Sequence, residues 1–271
     1  MIALIHGSTC GATYSFLVKP HLDGDFGAFQ DIIQTRQASL FWWAKSVDKL
    51  SFWQCLNPLN LIKIYQTDKN YVQTEIAQTK LAHFLEEFKP NIILAHSVGC
   101  DYLVKFLSKD SQDGHQTNYN LSNEEKIVKS NQNKNMEIGE IGKFEGLENL
   151  KEIDQIQSKN YKKNLEKILE NTKEIYLLNS DWQIKDTDLS PEIIAKVKSK
   201  KLIIYNYFCP YDLTLWNSFL VNYKIPDGLF GSSSRLIQNK LFLPYNFPNF
   251  HTFLPNNKKF AQKIHQIDIL D

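Results

Sequence analysis

Four residues spaced widely along this chain could together transfer an acyl group: Ser97, Asp181, Asp212 and His251. Ser97 stands in NIILAHSVGC, residues 91–100, between the very small Ala95 and Gly99, where an apolar run meets a helical pattern. A serine hydroxyl becomes a useful nucleophile once a neighbouring base takes its proton, and a carboxylate beside that base holds it in one orientation. The set therefore offers a nucleophile, two candidate acids and one base, in the chain order Ser, Asp, His. Each residue also has a plainer role. Ser97 could simply make a turn, Asp212 could cap the helix that follows it, Asp181 could be a solvated loop residue before Trp182, and His251 could be structural in the Pro- and Asn-rich NFPNFHTF.

Such residues act only if backbone elements bring them together. Apolar runs at 2–5, 61–65, 91–95, 174–178, 202–207 and 235–243 predict strands. Helical spacing predicts helices over 70–88, where Pro90 ends the pattern, and over the stretch after Gly99. Further helices are expected at 161–170, 191–197, through LTLWNSFLVNY, and at 257–267. The aromatic segment 38–57, ASLFWWAKSVDKLSFWQCLN, reads as a core-packing helix, with a substrate wall or membrane-surface patch as the alternative. Strands alternating with helices from end to end predict an α/β fold, a mostly parallel central sheet with helices on both faces. In such sheets active groups collect beyond the carboxyl ends of the strands. His6-Gly7-Ser8, Ser97, Asp181, Asp212 and His251 each follow a predicted strand.

The segment A-H-S-V-G at 95–99 between a strand and a helix, with His6-Gly7 closing an early strand, resembles the α/β-hydrolase family and its small-x-Ser-x-small nucleophile elbow. The resemblance spans the chain except for 108–172 and implies a serine esterase or lipase-like enzyme. Carried over residue by residue, it implies Ser97 as nucleophile, His251 as base, Asp212 as the acid that orients the imidazole, and the backbone N–H groups of Ser8 and Val98 as the oxyanion hole. Asp181 is the alternative acid, since some members take it from the earlier strand. Of the other histidines, His6 belongs to the oxyanion motif as a structural residue, and His96 flanks the elbow and points elsewhere. The family's antiparallel first hairpin is expected to be missing. Residues 182–200 occupy the usual cap position and are short, so the resemblance carries over no particular substrate.

Composition narrows the function classes. The 271 residues are 42% hydrophobic and 13% aromatic, enough for a single hydrolase-like domain over 1–271 with a sizeable core. Residues 108–172 are polar and predict a partly disordered or loosely helical insertion. With 31 basic against 30 acidic side chains there is no basic stripe for nucleic acid. Cys10, Cys55, Cys100 and Cys209 are scattered, with no metal-like spacing, as expected of core thiols in a reducing compartment. The N-terminal apolar run is too short for a signal peptide, and no run is long enough for stable membrane insertion, so a cytoplasmic location is expected. The expectation is a hydrolase without cofactor or metal, cleaving a carboxylic ester or thioester of a small-molecule or lipid-like acyl substrate through an acyl-enzyme. The alternative is a catalytically idle hydrolase fold used for binding or for partner or membrane docking.

Overall fold

The computed structural model describes residues 1–7, 24–41, 43, 58–108, 165–244 and 250–270. In chain order these form β1 (Ile2–Ile5), a 3-10 helix (Gly24–Phe29), α1 (Gln30–Gln34), β2 (Ala38–Phe41), α2 (Pro58–Tyr71), α3 (Glu75–Phe88), β3 (Ile92–His96) and α4 (Val98–Leu107). Then come α5 (Leu165–Ile168), β4 (Glu174–Leu178), α6 (Pro191–Lys198), β5 (Ile203–Phe208), α7 (Leu213–Asn222), α8 (Asp227–Phe230), β6 (Ile237–Leu241) and α9 (Lys258–Leu270).

The strands form one six-stranded sheet in the order β2-β1-β3-β4-β5-β6, with every neighbouring pair parallel. Parallel neighbours need crossovers, which place helices over both faces and bury the strands between them. That is why β1 and β3 are continuous apolar runs, buried at every position. Alternation along each strand divides the core. Ala3, Ile5, Ile93, Ala95, Ile175 and Leu177 pack against Leu81 and Leu85 of α3 and Leu103 of α4. Ile2, Leu4, Ile92, Leu94, Tyr176 and Leu178 pack against Phe26 and Phe29 of the 3-10 helix and Phe260 and Ile264 of α9. The chain is thus an α/β protein. Among the described residues, no helix is long and apolar enough to cross a membrane.

Three expectations are corrected. Residues 61–65 are helical, inside α2. The inward face of this helix carries Tyr65, Asp68 and Lys69, with Val72 just beyond, at helical spacing. Because that face is partly charged, no apolar helical period exists to be seen, and the short apolar cluster mimics a strand. The segment 38–57 does not start as a helix: Ala38–Phe41 is β2, paired with β1, and 42 and 44–57 lie outside the described residues. The predicted helix over 70–88 is divided between the end of α2 and α3. The Thr74 side chain accepts the Ala77 N–H at 3.2 Å to begin α3, and Lys89, at φ 48°, ends it ahead of Pro90. The 3-10 helix and α1 carry no periodicity that predicts them. Of the polar insertion, 109–164 lie outside the described residues. Cys100 and Cys209 are free and buried, while Cys10 and Cys55 fall outside.

Candidate active site

β3 ends at His96, and α4 begins two residues later, so the chain must turn within Ser97. The turn forces Ser97 to φ 53° and ψ −125°, a sparsely populated conformation whose cost is about 1–3 kcal/mol for a residue with a side chain. Its N–H donates to the Leu178 carbonyl at 3.0 Å, and its carbonyl accepts from Cys100 at 2.9 Å. Sheet and helix thus hold the strained residue from both sides. Val98 is the first residue of α4, so its N–H has no partner within the helix. Ser8, the other expected oxyanion donor, lies outside the described residues.

The small residues beside Ser97 have a steric reason. A Cβ on Gly99 would lie 2.5 Å from the His6 carbonyl oxygen and 2.6 Å from that of Ile5. Both are backbone atoms at the end of β1 and cannot swing aside. Gly99→Ala is therefore expected to destabilise the fold by about 1–3 kcal/mol or more. Urea titration should show a lowered midpoint with an unchanged slope; an unchanged midpoint would mean that α4 is free to shift. His6 itself is buried and built into the scaffold. Its Nε2 accepts the Trp43 N–H at 3.1 Å, its carbonyl accepts the Trp43 indole N–H at 2.8 Å, and the two rings stack at 5.3 Å.

Asp212 follows β5 and is fully buried. One carboxylate oxygen caps α7, accepting the N–H groups of Thr214 at 3.0 Å and Leu215 at 3.2 Å. The other accepts the Asn179 side-chain amide at 2.7 Å and lies 2.7 Å from His251 Nδ1. The capping role and the histidine-holding role are therefore not rivals: the two oxygens divide them. Burial acts to raise the pKa of Asp212, but His251, the Leu215 N–H and the Asn179 amide together hold it below the usual carboxylate range. A carboxylate can only accept here, so His251 Nδ1 carries the proton and Nε2 is the nitrogen able to take one. His251 sits in the turns at 250–256, between β6 and α9.

Asp181 is not brought to His251. One of its oxygens accepts the Ser218 hydroxyl, and the other accepts the Tyr65 hydroxyl and the Lys69 ammonium, the latter at 2.7 Å. Asn222 donates to both Tyr65, at 2.9 Å, and Ser218, at 3.0 Å. Lys69 also lies 3.4 Å from a carboxylate oxygen of Asp101, a fully buried residue on α4 one turn beyond Ser97. Neither Asp101 oxygen has a hydrogen-bond partner among the described residues. Burial pushes the Asp101 carboxyl up to about 8; Lys69 opposes that rise and the charge of Asp181 adds to it.

Sequence reasoning missed two features of this region. Tyr65 and Lys69 stand one turn apart on α2, but Asp101 and Asp181 are far from them in sequence, and charged residues on a helix ordinarily face water, so nothing singled them out. His96, expected to point elsewhere, instead reaches the His251 loop: its Nε2 lies 2.9 Å from the His251 carbonyl oxygen, and the two imidazole rings are 4.7 Å apart. Its position next to Ser97 was the available signal. No family model, curated protein or solved structure matches the chain.

Proposed function

We propose that this protein is a serine hydrolase of the α/β-hydrolase kind, cleaving a carboxylic ester or thioester through an acyl-enzyme, with carboxylesterase or lipase-like chemistry. One observation carries the reading: Ser97 is held at φ 53° and ψ −125° at the head of a helix, and the half-buried His251, paired with the fully buried Asp212, meets the same strand end through His96. Strain of this kind persists where function requires it, and a turn residue without chemistry has no need of an aspartate-held imidazole.

In this reading Ser97, His251 and Asp212 carry the route. His251 Nε2 takes the Ser97 hydroxyl proton as Oγ attacks the acyl carbon, and the carbonyl electrons move onto the oxygen. Asp212, ionised, stabilises the imidazolium and keeps Nδ1 protonated. The developing oxyanion meets the Val98 N–H and the positive end of the α4 dipole. Collapse of this intermediate expels the alcohol or thiol, which receives the proton from His251. Water, deprotonated by the same nitrogen, then releases the acid and restores Ser97.

The test is labelling of the folded protein with a fluorophosphonate, which phosphonylates only activated serines, followed by peptide mapping. A single adduct on Ser97 is expected. An adduct elsewhere, or none on folded protein, would sink the proposal and favour an idle scaffold.

A further inference from the structure

We infer that His96 is a positioning residue, a bridge that fixes the base against the nucleophile; the inference rests on the hydrolase reading above. His96 is the last residue of β3, paired in register with Leu178 of β4 and 1% exposed. Its backbone is held in the ladder between β3 and β4. The His251 carbonyl can only accept, so His96 Nε2 must carry the hydrogen of their 2.9 Å contact. His251 is consequently gripped twice: its ring through Nδ1 by Asp212 at 2.7 Å, and its backbone by His96.

The second grip matters because of where His251 lies. Residues 250–256 are turns rather than strand or helix, so no sheet ladder holds the backbone of the base. Asp212 can orient the imidazole ring but cannot fix how far its Cα stands from the serine. The His96 bond does so by the shortest route available, because the next residue in the chain is Ser97 itself. Base and nucleophile are then referred to the same end of β3. A displacement of about 1 Å in such a pair costs about a hundredfold in rate.

Two substitutions separate a donor role from a space-filling one. His96→Gln keeps an amide N–H at similar reach, while His96→Leu keeps the bulk and removes the donor. With p-nitrophenyl acetate, His96→Leu is expected to lose about 10- to 100-fold in kcat with KM nearly unchanged. His96→Gln should recover to within about threefold of the unsubstituted protein on the same scale. Equal losses in both variants, or no loss in either, would overturn the inference. If His96→Leu fails to fold, His96→Asn, whose amide stops short of the carbonyl, replaces it with the same expected loss. A second readout works even if the protein turns over no ester: the His251 Nδ1–H resonance in the ¹⁵N-labelled protein. It should exchange faster with water in His96→Leu and be retained in His96→Gln. An unaltered resonance in His96→Leu would overturn the bridge whatever the reaction proves to be.

Discussion

Asp212→Asn is expected to lower ester turnover by about ten-thousand-fold, the loss seen where the acid of such a triad becomes an amide. The local hydrogen bonds show why. One oxygen of Asp212 accepts two N–H groups at the start of α7, and the other accepts the Asn179 amide and faces His251 Nδ1. An asparagine has only one acceptor oxygen. Turned toward α7, it preserves the cap but presents its amide to His251, which must then carry its proton on Nε2, where it cannot act as a base. Turned toward His251, it sets donor against donor at Thr214 and Leu215. Each unmatched buried donor costs about 1–3 kcal/mol, so the variant should also melt several degrees lower. Asp181→Asn should show the opposite balance: turnover within about tenfold, about 1.4 kcal/mol in barrier, and the main loss in stability, because its carboxylate pairs with Lys69 rather than His251. Steady-state turnover and thermal melting of the two variants decide the matter. Full activity in Asp212→Asn would remove it from the reaction.

Which parts of this site were legible in sequence follows from how each residue is held. Ser97, Asp212 and His251 stand just beyond apolar runs or in the final loop, and β1, β3, β4 and β5 are such runs because parallel strands are covered on both faces. Strand ends could therefore be read, and with them the residues that gather there. The small residues around Ser97 were legible for the same reason, since close packing of α4 on β1 leaves no room at Gly99. The inward face of α2 was not legible: Asp68 and Lys69 interrupt the apolar period that marks a packed helix, and the carboxylates that pair with Lys69 lie outside α2. Nor was the His96 bridge, because the face a strand-end side chain takes is visible only once the His251 loop has folded over it.

Lys69→Met is expected to destabilise the fold by about 3–5 kcal/mol at mildly alkaline pH, the usual consequence of removing one partner from a buried ion pair. The Lys69 side chain is 19% exposed, and those of Asp181 and Asp101 are 1% and 0% exposed. Little water therefore reaches the two carboxylates, which are left together without the cation. The size of the effect should depend on pH, with a definite sign. In the native protein the Asp101 carboxyl rises from its ordinary 3.8 to about 8. Between those values the folded chain binds a proton that the unfolded chain has released, so stability falls as pH rises through this window. The contribution of Asp101 is fully present below the lower value and lost above the upper one. Without Lys69, the one charge opposing that rise is gone, and the carboxyl must stay protonated to still higher pH. The deficit of Lys69→Met should accordingly be smaller at about pH 5, where the loss of the Asp181 pair remains, and largest at about pH 9. Asp101→Asn supplies the control, since a group that cannot ionise should flatten the fall in stability over the same range in the otherwise unchanged protein. Urea titrations of the three proteins at several pH values measure all of this. A deficit in Lys69→Met that shrinks as pH rises would show that Lys69 does not hold the Asp101 and Asp181 charges in place.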